Sequence, residues 1–170
     1  MVPDVATLLN SVLRFNQDNR LLRVKSPLEA EMLLVHRFSG TEAVSRPFDL
    51  EVDLLSPYAY LELKALIGQP LTVSMGTPLN TERHFHGYVR EFARTGSDGG
   101  FARYEARLSP WFWFLSQRTN CRILQDLSVI DIAREVFAEY GALADVRFEV
   151  SEGRYPPLPY CVQYNESDFD

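Results

Sequence analysis

The stretch Phe48-Asp49-Leu50-Glu51-Val52-Asp53-Leu54 decides the fold. Apolar and acidic residues alternate along it, and on an extended chain successive side chains point to opposite faces. Phe48, Leu50, Val52 and Leu54 therefore turn toward a core, while Asp49, Glu51 and Asp53 turn toward water. A helix would scatter the same residues around its circumference. The period of two returns at Leu71, Val73 and Met75, and again at Tyr104, Ala106 and Leu108. Residues 21–25, 32–38 and 83–92 are further strand candidates. Between the last of these and residues 102–108 lies Thr95-Gly96-Ser97-Asp98-Gly99-Gly100, whose Asp-Gly pair favours a hairpin turn. Many short strands with turn signals and few helices predict a mainly β (α+β) chain built on an antiparallel barrel or sandwich.

The pattern changes on both sides of this region. Val5, Leu8, Leu9, Val12 and Leu13 have the spacing of a short amphipathic helix, with Asp4 placed to cap it. Ser109-Pro110 ahead of Trp111-Phe112-Trp113-Phe114-Leu115 sets a capping hydroxyl and then proline at the first position of a helix. Ser128 opens another, with Asp131 as its capping partner. Val129, Ile132, Ala133, Val136, Phe137 and Tyr140 would form its apolar face, and Gly141 its stop. Residues 146–150 read as a strand, and Tyr155-Pro156-Pro157-Leu158-Pro159 as a rigid connector. Asn165-Glu166-Ser167-Asp168 reads as the cap of a helix that would follow, so the chain reads as a fragment. The expected organisation is a helical extension over residues 1–20, a barrel over 21–109 and a helical and strand extension over 110–170.

Composition narrows the function. The chain has 170 residues, 46% of them hydrophobic, with 11 Phe, 8 Tyr and 2 Trp. That apolar share supports a packed core and excludes disorder. Seventeen basic against 23 acidic residues give a net charge of −6 with no run of Lys or Arg. Such a surface repels phosphate backbones, so nucleic acid is not an expected partner. No apolar run has the length of a membrane-spanning helix, and residues 1–14 lack the cationic leader and cleavage site of a Sec signal. Cys121 and Cys161 are too few for a disulfide framework. Buried, inert thiols in a reducing compartment are expected.

No arrangement of residues reads as a catalytic centre. His84 and His86 share a strand face, which is half of a metal site, but no third ligand stands near them in sequence, and His36 is remote although a sheet could bring it across. A metal is not expected. Asp49, Glu51 and Asp53 face water, and Arg103, Glu105 and Arg107 form a matching polar face on another strand. Cross-strand ion pairing is the default for such faces. The three acids are also the candidates for a protein-contact surface. Glycines 96, 99 and 100 precede a strand rather than a helix, so they make no phosphate loop. The aromatic run from Trp111 to Phe114 reads as a wedge into the core. The expectation is a binding or structural module with no catalytic residue and no cofactor.

The order of segments resembles a known family. Leu21-Leu22-Arg23-Val24, Phe38-Ser39-Gly40-Thr41-Glu42 and Ser45-Arg46-Pro47-Phe48 are similar to the start of VgrG proteins, the spike subunits of type VI secretion systems. Ile67-Gly68-Gln69-Pro70-Leu71-Thr72-Val73, Phe85-His86-Gly87-Tyr88-Val89 and Leu108-Ser109-Pro110-Trp111-Phe112-Trp113 continue the likeness. So do Arg122-Ile123-Leu124-Gln125-Asp126 and Tyr160-Cys161-Val162-Gln163-Tyr164 with Glu166-Ser167-Asp168. The resemblance implies a β-barrel of the phage baseplate hub type, one of two per subunit, followed by short helices. It implies a structural subunit that adapts a trimeric spike to the hexameric Hcp tube for contractile injection and effector delivery. The implied partners are two further VgrG subunits, Hcp, and baseplate, effector or adaptor proteins, with assembly in the cytoplasm before secretion. The fragment alone is expected to be monomeric or weakly self-associating. Cys121 departs from the serine usual there, and residues 2–16 exceed the expected length. Two other readings stand beside this one: a contractile phage tail hub of the same fold, and a barrel binding carbohydrate or nucleic acid through Trp111 and Trp113.

Overall fold

In the computed structural model the alternating stretch becomes part of strand β3 (Arg46–Ser56), with Leu50, Val52 and Leu54 at most 2% exposed. The described residues are 17, 20–29, 31–78, 81–98, 100–151 and 153–170. The helix expected over residues 5–13 lies outside them. They form two compact units that part between Pro110 and Trp111.

The first unit is a six-stranded antiparallel sheet. Its strands are β1 (Leu22–Lys25), β2 (Leu34–Ala43), β3, β4 (Pro70–Gly76), β5 (Glu82–Asp98) and β6 (Phe101–Ser109), in the order β1-β4-β5-β6-β3-β2. The sheet is strongly curled. Phe38 on β2 and Phe85 on β5 are three strand spacings apart, about 14 Å on a flat sheet, yet their ring centroids lie 4.7 Å apart. Arg83 on β5 also reaches Glu42 on β2 at 3.0 Å. The curl wraps a core of Leu50, Val52, Leu54, Leu71, Val73, Val89, Tyr104, Ala106 and Leu108. Tyr104 is buried with its hydroxyl satisfied, donating to the Tyr58 carbonyl at 2.9 Å and accepting from the Leu61 amide at 3.2 Å. This half-closed barrel matches the expected mainly β, antiparallel architecture with short helices after it.

The second unit pairs β7 (Thr119–Leu127) with β8 (Leu158–Ser167), with helix α1 (Val129–Ala138) between them in sequence. Ser128 caps α1 as expected: its Oγ accepts from the Asp131 amide at 3.2 Å and donates to the Asp131 carboxylate at 2.6 Å. Four expectations are corrected here. The aromatic run forms a 3-10 helix, Trp111–Gln117, with Leu115 fully buried. Residues 146–150 form no strand. Residues 165–167 end β8 instead of capping a helix. Cys121 is exposed, because the β7–β8 ribbon has one covered and one bare face. Leu124 and Cys161 face inward on it, whereas Ile123, Tyr160, Val162 and Tyr164 are 50–77% exposed.

Candidate functional site

Asp49, Glu51 and Asp53 stand on the outer face of the curled sheet because their neighbours Leu50, Val52 and Leu54 hold the inner one. The ladder between β3 and β6 sets Glu51 opposite Arg107 and Asp53 opposite Glu105. Arg107 is the hub of the charges: it lies 3.9 Å from Glu51, 3.7 Å from Glu91 and 3.3 Å from Glu105. The hydrogen bond to Glu105 and the charges of Glu91 and Glu105 raise its pKa above the usual guanidinium value. Asp49 is held by Arg90 at 2.9 Å. Beside them, Ser39, Gly40 and Thr41 of β2 complete a shallow cleft of about 270 Å³ with Asp49, Glu51 and Arg107. Gly40 stands opposite Leu50, and a Cβ on it would fall 2.3 Å from Leu50 Cδ2, so a side chain here would make Leu50 shift. The face is thus a lattice of cross-strand ion pairs, mostly half-exposed, of the kind that contributes little to stability but orders a surface.

The histidines do not converge. His84 and His86 each engage the strand beside them: Nδ1 of His84 meets Ser74 Oγ at 2.9 Å, and Nδ1 of His86 meets Thr72 Oγ1 at 2.8 Å. His36 borders a different cleft with Asp53, Thr95 and Arg103. Among the described residues, the side chains close enough to share a cation are Glu51, Asp53 and Glu105, with no histidine in the group. Trp111 is not a free stacking platform, since its ring makes edge contacts with Phe112 at 5.5 Å and Phe137 at 5.2 Å.

The second unit holds a polar centre that the sequence did not announce. The Asp168 side chain is 0% exposed. It accepts from Arg118 Nε and the Tyr140 hydroxyl, each at 2.7 Å, from Gln163 Nε2 at 3.0 Å and from Arg122. Arg118 and Arg122 both continue to Glu139. Burial works against the charge of Asp168, but the bonds from Gln163, Tyr140, Arg118 and Arg122 outweigh it and lower its pKa to about 2. Burial and the bond to Asp168 push Tyr140 up to about 12. Every acceptor site is occupied, so the cluster is a fastening rather than a reactive group.

A curled antiparallel sheet with an ion-paired outer face, followed by a small ribbon-and-helix unit, defines a scaffold-type β module. The chain belongs to the phage tail baseplate hub (GPD) family, whose model matches residues 41–170. The type VI secretion system spike protein VgrG1b of Pseudomonas aeruginosa is 40% identical over 154 residues, which is 91% of this chain and 20% of that protein. VgrG1c of the same organism is 38% identical, covering 92% of this chain and 21% of the relative. The chain therefore spans about a fifth of the length of these curated relatives. Among solved structures, the E. coli c3393 protein matches with a TM-score of 0.69 at 24% identity, over 87% of this chain and 40% of that one. It is described as a component of the type VI secretion system with structural similarity to the T4 bacteriophage tail proteins gp27 and gp5. These matches bear out the resemblance to VgrG and the hub-type fold.

Proposed function

We propose that this chain is the hub region of a type VI secretion spike, a structural part with no catalytic role. The observation that carries the reading is 40% identity to a spike protein across 91% of the chain. In the complete protein the region works as a trimer and seats the spike on the hexameric Hcp tube, so that contraction drives spike, tube and attached effectors out of the cell. A ring contact between copies of one subunit is head-to-tail, so opposite sides of the barrel meet different neighbours. The stripe Asp49, Glu51 and Asp53 is the proposed rim of one such contact, since exposed charges at an interface set docking rate and register. The protein is assembled in the cytoplasm and leaves with the tube. The test is secretion. Reversing the three acids to lysine in the full-length protein lowers the Hcp released to the medium, while the 170-residue chain with the same changes keeps its fold. Normal Hcp release would return the stripe to a solvated face. The family's phage members support a second reading, a virion tail hub, which predicts the protein in purified particles rather than in the medium.

A further inference from the structure

Strands β1 and β2 are the two edges of the curled sheet, and among the described residues no backbone ladder joins them. An edge strand offers unpaired N–H and C=O groups on which another strand can build. Here the side chains of Gln17 and Arg20 take up three of those groups. The Arg20 amide donates to the Gln17 carbonyl at 3.2 Å, which ties the two residues together. Gln17 Oε1 then accepts from the Val24 amide at 2.5 Å, and Gln17 Nε2 donates to the Val24 carbonyl at 3.1 Å. The carboxamide thus bonds Val24 through both of its peptide groups, as the backbone of a neighbouring strand would. On the other edge, Arg20 Nη2 donates to the Val35 carbonyl at 3.0 Å. Val24 stands opposite Val73 of β4. In an antiparallel pair a residue whose peptide groups are not used by its opposite turns them outward, so those of Val24 face the seam. Behind the seam, Val24, Leu33 and Val35 are buried at 9%, 2% and 1% exposure.

We infer that Gln17 and Arg20 form an edge guard: they hold the strand-pairing positions of the seam and keep it from accepting an extended strand of a second copy of this chain. A second copy is the occupant because it carries the same two edges, which no backbone ladder joins among the described residues. Antiparallel pairing of two identical edges about a twofold axis would satisfy both at once. The short β1, Leu22–Lys25, receives the more complete cover, a two-way pairing in place of a single bond. The inference is independent of the secretion reading, since it uses only the geometry of the seam.

The test uses the 170-residue chain with Gln17→Leu and Arg20→Leu, followed by sedimentation and amide hydrogen exchange from dilute to concentrated solution. In dilute solution the Val24 amide should exchange about tenfold faster than in the parent or more, while the Val52 amide in the core keeps its protection. In concentrated solution the variant should self-associate, and Val24 should regain protection as a strand from the second copy covers it. Sedimentation equal to the parent at every concentration overturns the inference. So does association that leaves Val24 exposed, because the contact then lies elsewhere. If the double variant also loses protection at Val52, the single variants Gln17→Leu and Arg20→Leu, each opening one edge, are read by the same criteria.

Discussion

A single carboxylate illustrates how a residue can organise a unit. The Asp168 side chain is fully buried and takes bonds from residues that precede β7, lie on β7, follow α1 and lie on β8. Its folded pKa, about 2, lies below the ordinary 3.8. A depressed carboxylate stabilises the fold above its unfolded pKa and loses that contribution as protons bind. Acid should therefore weaken the second unit as pH falls from about 4 toward 2, by about 2 kcal/mol in all. Asp168→Asn should abolish this acid dependence and cost about 2–3 kcal/mol at neutral pH, because Arg118 and Arg122 lose one of their two carboxylate partners and keep only Glu139. Denaturant titrations at a series of pH values check both. The histidines give a contrasting case. His84 and His86 spend Nδ1 on Ser74 and Thr72, so a chelator should leave the melting temperature unchanged. A drop of several degrees that zinc or nickel restores would count against this.

At the level of elements, helix α1 tests how sequence becomes packing. Ser128→Ala should cost about 1 kcal/mol, the usual price of a lost N-cap. Phe137 packs against Trp111, Phe112 and Phe148 at 5.2, 5.8 and 5.9 Å, yet it keeps some exposure. Phe137→Ala should cost about 2–3 kcal/mol, below the range of a fully buried phenylalanine. Glu139 lies on the outer side of the helix end, where sequence alone suggests a neutral substitution. Its pairing with Arg118 and Arg122 makes Glu139→Ala destabilising, and exposed Glu135→Ala is the neutral comparison. Thermal melts rank the four. The strands were legible because burial on one face imposes alternation, and the α1 cap because Ser128 and Asp131 are local. The aromatic run from Trp111 to Phe114 has no period, so it announced burial but not the 3-10 form. The Asp168 centre was illegible because its members lie as far as 50 positions apart. The outer-face ion pairs fell between, since sequence suggested the two polar strands and the ladder supplied their register.

At the scale of the whole molecule, the proposed trimeric role sets an expectation for assembly. The β7–β8 ribbon leaves Ile123, Tyr160, Val162 and Tyr164 bare, and apolar patches of this kind mark contact surfaces. Subunit contacts in stable assemblies bury more than about 1,000 Å² in total, and a chain covering a fifth of its relatives supplies only part of that. The 170-residue chain should sediment as a monomer or a weak self-associate, and a chain extended to the length of the curated relatives should trimerise. A stable trimer of the 170 residues would show that the remainder is not needed.

In the proposed role, where contraction loads the spike, the Asp168 centre has a mechanical consequence. Thr119 and Ser167 form the outermost pair of the β7–β8 ladder, and just beyond them the Asp168 amide bonds to the Arg118 carbonyl at 3.1 Å. A pull that separates residues 118 and 168 would open an unfastened ribbon like a zip, one rung after another. With the buried carboxylate knotted at the mouth, tension meets the fastening first. The ribbon then behaves as a latch, rigid up to a threshold force and quick to part above it.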